Sequence, residues 1–218
     1  MTTWEEKFVR FMSERWVFQG ADPHDFTPRT LIVAFGEDFL SPLLERHKHF
    51  GALYTGYLGG RQIGYIKVPP GTVIIEGIMR SMQFTRVDTV IGLGTCGAMQ
   101  PEIDCGDIIV AGSAKAGDGL SMHYGFEYNQ DVPADAGLTA SLTDFFDRRG
   151  LAVHRGRIVT PAAVLGGTEK IPGAGNRRGT LAGEPEVPPS LPVPGGWRAG
   201  RSKPGLGTEG PVPAGTRG

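Results

Sequence analysis

The sequence predicts an α/β fold with a mixed central sheet flanked by helices, followed by a disordered C-terminal tail. Short apolar runs alternate with stretches of helical periodicity over the first 165 residues, which is typical of α/β layers. Two strand-like runs separated by Gly59-Gly60 predict a hairpin and hence some antiparallel pairing. Composition then changes abruptly after Leu165. We therefore expect an incomplete folded domain over 1–165 and a tail over 166–218.

The predicted elements follow the chain in order. An aromatic stripe (Trp4, Phe8, Phe11 or Met12, Trp16) predicts the first helix, and Ser41-Pro42 suits the N-cap and first turn of the second. Helices are expected at about 4–18, 41–48, 72–85 and 136–149. Strands are expected at about 30–35, 52–58, 61–68, 89–93, 108–115 and 152–159.

The tail has an unusual composition. Residues 166–218 contain 14 glycines and nine prolines, and Trp197 is their one aromatic residue. Such a segment buries too little apolar surface to offset the entropy of ordering it, so disorder is expected from about Gly166. Two interpretations stay open: a natural flexible segment, or the product of a shifted reading frame in a GC-rich gene. The second is favoured because the break interrupts a fold in mid-course.

Charge and cysteine content limit the function classes. The net charge of −1 gives no basis for binding nucleic acid or a membrane surface. The two cysteines, Cys96 and Cys105, form no CxxC pair and cannot build a disulfide framework. No secretory signal and no apolar stretch of about 20 residues is present. A cytoplasmic protein is expected.

A glycine-rich loop follows the strand predicted at 89–93. Gly94 and Gly97 have no side chains to cover the backbone there, so amide groups at the end of the strand can point into a cleft. Thr95 adds a hydroxyl. This arrangement suits an anion or a sugar hydroxyl.

The same loop also matches the dinucleotide fingerprint GxGxxG, through Gly92, Gly94 and Gly97. That fingerprint requires a helix to begin at the loop, so that its N-terminus meets the pyrophosphate. Pro101 would break such a helix. A dinucleotide site is therefore the weaker interpretation.

Several short motifs surround the loop at characteristic distances. They are Gly94-Thr95-Cys96-Gly97, Gln100-Pro101, Gly106-Asp107 and Asp118-Gly119-Leu120-Ser121-Met122-His123. Together they resemble the nucleoside phosphorylase family, in particular its uridine phosphorylase branch, over roughly residues 28–165. The resemblance implies a distorted mixed sheet, a cytoplasmic homo-oligomer and a small-molecule nucleoside substrate. It also implies cleavage of the N-glycosidic bond with inorganic phosphate as co-substrate and no other cofactor.

The resemblance also implies binding residues. Phosphate and ribose are expected at Gly36 and at the loop Gly94, Thr95, Cys96 and Gly97, with Thr95 touching both. His123 is a possible substrate contact, and capping of its own loop is the equal alternative. No catalytic residue is assigned, and no metal site is expected, because no Cys/His/Asp cluster has suitable spacing.

The cations that the family uses for phosphate are absent from the matching positions. Gly92 stands where the family typically has arginine, and the turn after the first strand carries Glu37 and Asp38 instead of a cation. A third arginine, lent by a neighbouring subunit, aligns near Lys48 or His49. The family's Glu-bearing ribose segment has no counterpart after residue 165. Impaired phosphorolysis is therefore expected, with a phosphate-independent nucleosidase or a non-catalytic nucleoside-binding paralogue as alternatives.

Other polar residues have simpler interpretations. His47 and His49 are expected to be solvated at a helix end, and Glu37 with Asp38 to lie in an exposed turn. Arg80 and Arg86 are candidates to replace the missing phosphate charge, although solvated helix positions are favoured. Cys96 is interpreted as a small buried filler of its loop, in preference to a nucleophile. Asp107 is expected to close its turn through its side chain.

Overall fold

The computed structural model describes residues 3–36, 38–69, 71–117, 119–159 and 180–183. Its helices are α1 (Trp4–Trp16), α2 (Thr72–Met82) and α3 (Ala136–Asp147). Its strands are β1 (Thr30–Phe35), β2 (Glu45–Phe50), β3 (Leu53–Leu58), β4 (Arg61–Val68), β5 (Thr89–Leu93), β6 (Gly97–Ala98), β7 (Ile108–Lys115), β8 (Asp131–Pro133), β9 (Val153–Val159) and β10 (Thr180–Gly183). This confirms the predicted mixed α/β class.

The first sheet has five strands in the order β2-β3-β4-β1-β5. β1 lies at its centre and runs parallel to both β4 and β5. The predicted hairpin is present as β3 and β4, which pair antiparallel across Gly59-Gly60. The buried apolar run of β1 suits a strand covered on both faces.

A large hydrophobic core covers one face of the first sheet. It brings strand residues such as Leu31 and Leu53 together with Met82 of α2 and with Phe18 and Phe26 from the segment after α1. These five side chains have no exposed surface. A smaller cluster around Tyr65 and Leu44 covers the opposite face. The first sheet is therefore packed on both sides.

The second sheet has five strands in the order β6-β10-β9-β7-β8. β9 runs parallel to β7 and to β10, while β6 and β8 pair antiparallel with their neighbours. Its buried cluster contains Ala114, Ile158 and Ala182, with Ile109 and Ala111 packed against it. This core is smaller than that of the first sheet.

The helix predicted at 41–48 is wrong. Residues Ser41–Leu43 form a single 3₁₀ turn, and β2 then pairs antiparallel with β3. Ser41-Pro42 does start a turn, but residues 45–50 offer no apolar helical stripe. Their Arg and Lys side chains suit an exposed edge strand, which they form here.

Two other expectations change in detail. The predicted helices at 4–18, 72–85 and 136–149 end earlier, at Trp16, Met82 and Asp147. The aromatic stripe of α1 is exposed, and the helix packs through Ser13, whose hydroxyl accepts a 2.8 Å hydrogen bond from Ser81 of α2.

Part of the predicted disordered tail is ordered. Thr180–Gly183 forms β10 between β6 and β9, with Thr180 and Ala182 buried. Leu181 packs against Gly156 so closely that a Cβ at residue 156 would lie 2.7 Å from its Cδ1. Residues 160–179 and 184–218 lie outside the described residues, so the boundary at 165 stays a prediction.

None of the helices in the described ranges is both long enough and apolar enough to cross a membrane.

Candidate functional site

Two segments that the sequence singled out, and the start of one helix, lie at one edge of the first sheet. Gly36 follows β1, Gly94 follows β5, and α2 starts shortly after β4 at Thr72. Because β1, β4 and β5 are parallel, their carboxyl ends share this edge. The crevice outside the carboxyl ends of parallel strands is where α/β folds bind ligands. The N-terminus of α2 adds a partial positive charge there.

The glycine-rich loop carries the chain from the first sheet into the second. Gly94 is half-buried, whereas Thr95, Cys96 and Gly97 are exposed, so the prediction of Cys96 as a buried filler is wrong. Strand β6 follows directly, and no helix begins at the loop. The dinucleotide alternative is therefore excluded, because its pyrophosphate needs a helix N-terminus at this point. The loop remains open to a ligand.

Strand β10 borders this loop on its far side. Ala182 pairs with Ala98, and Gly183 with Gly97. Further along, the Met99 amide donates to the Leu181 carbonyl at 2.8 Å. A segment more than 80 residues away in sequence thus fixes the end of the candidate loop.

The amide of Gly36 is used within the first sheet. It donates a 3.0 Å hydrogen bond to the Val68 carbonyl, and the φ of +76° at Gly36 favours glycine. The amide therefore joins the end of β1 to β4, and its hydrogen is already used in that bond. Gly36 shapes the turn at the site edge, and its amide is not an added donor for phosphate.

The position of the family's phosphate arginine is restricted by packing. A Cβ at Gly92 would lie 3.1 Å from Cε2 of the Phe35 ring, and Phe35 is itself buried. A long side chain at residue 92 therefore needs the ring to move. The local packing therefore agrees with the absence of arginine at residue 92.

Asp38 is a structural carboxylate. It accepts hydrogen bonds from the Ser41 hydroxyl, from the Ser41 amide at 2.9 Å and from the Tyr65 hydroxyl at 2.7 Å. These bonds, that from the Ser41 hydroxyl first, lower the pKa of Asp38 to about 2. Burial, together with Asp38, raises the pKa of Tyr65. An ionised, fully bonded Asp38 is a poor general acid or base, and Glu37 lies outside the described residues.

His123 is exposed on a 3₁₀ turn, Leu120–Tyr124, which follows β7. The next residue, Tyr124, donates a hydrogen bond to Oε1 of Glu76 on α2. Burial raises the pKa of Tyr124, and the neighbouring Glu76 carboxylate adds to this. The turn that carries His123 is therefore attached to the helix that begins at the site edge.

Asp107 closes its turn as expected and also reaches the next strand. It accepts a 2.9 Å hydrogen bond from the Asp104 amide and lies 2.8 Å from Nε2 of His154 on β9. The amide contact, followed by His154, lowers the pKa of Asp107. This pair joins the beginnings of β7 and β9 and is structural.

Two cations lie largely out of solvent, and the sequence prediction covered only the first of them, Arg80. Arg80 is largely buried and forms a 2.7 Å ion pair with Glu5 of α1, so it is neither solvated nor directed to the site edge. Lys115, at the end of β7, is only 7% exposed. None of the ion pairs within the described ranges includes Lys115. Arg86 is exposed, as expected.

His47 and His49 lie on β2, where both rings contact Tyr54 at centroid distances of 4.7 and 4.4 Å. The expected helix end is absent, although both side chains are exposed. Within the described residues, no three His, Cys, Asp or Glu side chains gather as a metal site.

Sequence reasoning missed three features of this region: the Glu76–Tyr124 bond, the burial of Lys115 and the strand β10. Glu76 lies on the polar side of a helix, and Lys115 ends an otherwise apolar strand. A charged residue at the end of a buried strand is a usable signal. The β10 segment, Thr-Leu-Ala-Gly, is too short to distinguish from its surroundings.

Comparison with known proteins agrees with this geometry. The model of the phosphorylase superfamily matches residues 29–180, so the chain belongs to that family. In structure it is similar to uridine phosphorylase from Vibrio fischeri ES114, with a TM-score of 0.65 and 18% sequence identity over 76% of this chain and 75% of that one. The nucleoside phosphorylase resemblance and its fold are thereby confirmed.

Proposed function

We propose that this protein binds a nucleoside at the edge formed by Gly36, the loop 94–97 and the start of α2, and acts on its N-glycosidic bond. The observation that carries the proposal is the exposed loop at the carboxyl end of β5, with the Thr95 hydroxyl open to solvent. Membership of the phosphorylase superfamily and the likeness to a uridine phosphorylase support the substrate class.

The proposed reaction is phosphorolysis. The bond between C1′ of the sugar and the base nitrogen breaks, and a bond from C1′ to a phosphate oxygen forms. The base leaves with the electron pair and gains a proton. Positive charge therefore develops on the sugar and negative charge on the base, and donors that hold the attacking phosphate and the ribose hydroxyls in place lower the barrier by positioning them. Thr95 and the amides of its loop are the donors proposed here.

Impaired turnover is part of the proposal. The forked guanidinium group of arginine matches phosphate oxygens best. At the positions where the family has arginines, this chain has Gly92 and the turn that contains Asp38. Lys115, a buried lysine at the end of β7, is the candidate for retaining some phosphate binding, because a lysine ammonium group binds phosphate as a point charge. We propose Lys115 as the residual phosphate cation.

The direct test measures base release from uridine, inosine, adenosine and methylthioadenosine, with and without phosphate. Slow release that depends on phosphate supports impaired phosphorolysis. Release without phosphate selects the nucleosidase alternative, and binding without release selects the non-catalytic paralogue. Rapid phosphate-dependent turnover contradicts the impairment, and absence of binding to all four nucleosides contradicts the proposed function.

Thr95→Val and Thr95→Ser form a matched pair for the site itself. The valine variant keeps the shape and removes the hydroxyl, so we expect roughly tenfold weaker nucleoside binding, or about 1.4 kcal/mol. The serine variant keeps the hydroxyl and should bind within about twofold of the parent. Equal binding by all three proteins would show that the Thr95 hydroxyl does not contact the nucleoside.

Lys115→Met tests the phosphate assignment, with Lys7→Met as control. Lys7 is an exposed lysine on α1, away from the edge where the strands end. We expect the dependence of base release on phosphate concentration to weaken in the Lys115 variant alone. If no release is detectable, phosphate-dependent thermal stabilisation provides the same comparison. An unchanged phosphate response in Lys115→Met contradicts the assignment.

A further inference from the structure

Helix α1 presents an aromatic stripe to solvent. Trp4, Phe8 and Phe11 are 77, 47 and 51% exposed, and Arg15 continues the same line. Their spacing of four, three and four residues places all four side chains on one narrow stripe of the helix. Ser13, which packs on α2, lies on the opposite face. Three aromatic side chains on one exposed stripe indicate an interaction surface.

This stripe is held in a defined orientation. A capping box between Thr3 and Glu6 fixes the start of α1, and the 2.7 Å ion pair from Arg80 to Glu5 holds the helix on α2. Within the stripe, Trp4 and Phe8 are stacked at a centroid distance of 5.3 Å. A preorganised surface of this kind loses little entropy on association.

We propose that α1 pairs with α1 of a second copy of this chain, in antiparallel orientation about a two-fold axis. In that orientation, Trp4 faces Arg15 of the second copy and Phe8 faces Phe11 of the second copy. The aromatic rings then pack at the centre, and each Arg15 lies against the face of a tryptophan, which is a favourable cation–π contact. A two-fold axis makes every contact occur twice.

The charges beside the stripe match this arrangement. Lys7 and Glu14 lie along the same side of the stripe, seven residues apart. Glu14 already pairs with Arg10 of its own helix at 2.8 Å, and antiparallel pairing brings Lys7 of the other copy beside it, since the same side of each helix faces the partner. Parallel pairing would instead place Arg15 against Arg15 at the centre. Charge pairing at flanking positions is what sets helix orientation in two-helix contacts.

A membrane surface or a nucleic acid fits the exposed stripe of α1 less well than a second copy of the chain. α1 contains three basic and three acidic residues, so its net charge is zero. Membrane-surface helices and nucleic-acid sites rely on an excess of Lys and Arg. In addition, α1 precedes residues 29–180, so this contact is separate from the region that matches the phosphorylase superfamily. The proposal does not depend on the function proposed above.

The surface is small, so the pairing should depend on concentration. An aromatic side chain buries about 150–250 Å², and three of them, already partly covered, fall at the low end for specific interfaces. We expect dissociation in the micromolar range. Sedimentation velocity of the full chain over a concentration series measures it.

Phe8→Glu is the first test, with Phe145→Glu as matched control. Phe145 is also an exposed helical phenylalanine, at 42% against 47% for Phe8. We expect Phe8→Glu to weaken self-association at least tenfold and Phe145→Glu to leave it unchanged, with circular dichroism showing that both variants are folded. Equal association by Phe8→Glu and the parent, or no association of the parent at any concentration, overturns the proposal.

Charge reversal tests the orientation. Lys7→Glu and Glu14→Lys should each weaken association, because each homodimer then places like charges together at two positions. An equimolar mixture of the two variants restores both ion pairs in the heterodimer, so it should associate as tightly as the parent. A mixture that associates no better than either variant alone contradicts the antiparallel arrangement. Binding of the parent to neutral or anionic phospholipid vesicles without self-association contradicts the choice of partner.

Discussion

The two sheets differ in how they are stabilised. The first is covered on both faces by large apolar side chains, including Phe18, Phe26 and Met82. The second has a described cluster built mostly from alanines with Ile158, and it takes one of its strands from near residue 180. The candidate loop joins the two sheets. The difference indicates that the first sheet, with its larger core, positions the site. The second sheet, with its smaller core, is the more easily altered of the two.

The largest effect is expected for Gly51→Ala, at the close approach between the first sheet and the end of α1. A Cβ there would lie 2.4 Å from the Val17 carbonyl oxygen, and φ is +65°. Backbone clash and left-handed strain together should cost about 4 kcal/mol in the free energy of unfolding. Gly59→Ala is the control: its φ is +55° but no atom lies within 4 Å, so about 1 kcal/mol is expected. Urea denaturation measures both, and similar losses would contradict the packing argument.

The next comparison removes one buried side chain from each sheet. Met82 is fully buried in the large core and Ile158 is 4% exposed in the small one. We expect Met82→Ala to lower stability by about 3 kcal/mol and Ile158→Ala by about 2 kcal/mol, because fewer large neighbours surround Ile158. A greater loss for Ile158→Ala would show that the second sheet is the better packed of the two.

A third test examines the β9–β10 contact through a double-mutant cycle. Gly156→Ala forces its new methyl group against Leu181, so a loss of about 1–2 kcal/mol is expected. Leu181→Ala opens this space, and the cost of Gly156→Ala should then fall by at least half. Strictly additive losses in the cycle would mean that β10 does not lie against Gly156 in solution.

The smallest effect concerns pH. Asp38 has a pKa of about 2 in the folded protein, below the roughly 3.9 of an unfolded chain. Its contribution to stability is therefore complete above about pH 4 and is lost as the pH falls towards 2. Asp38→Asn should flatten the stability profile in this window, and Tyr65→Phe, which removes one of its donors, should do so in part. Thermal unfolding between pH 2 and 6 records the three profiles, and superimposable curves would contradict the assignment.

Much of the first sheet was predictable because its strands are apolar runs bounded by clear turn residues. The bounds of β1, β4 and β5 match the sequence prediction to the residue. The polar strand β2 was mistaken for a helix, since an exposed edge strand carries no hydrophobic period. β6, β8 and β10 have two to four residues, too few for any pattern.

The candidate site was predictable in part. Gly94 and Thr95 follow from the motif, because glycine and a hydroxyl after a buried strand have a direct physical meaning. Two features depend on contacts between separate strands, which local sequence does not encode. They are the hydrogen bond from the Gly36 amide to Val68 and the position of the Phe35 ring beside Gly92. The exposure of the α1 stripe is of the same kind, since the pattern fixes the stripe and only packing decides which face is covered.

The position of β10 has a consequence for the order in which the molecule is completed. A ribosome finishes β6 some 80 residues before it makes the strand that must lie between β6 and β9. Until then, both neighbours expose unpaired backbone edges, and such long-range pairing forms slowly. The loop 94–97 therefore reaches its final shape last, and a nascent chain halted before residue 180 would expose two unpaired strand edges.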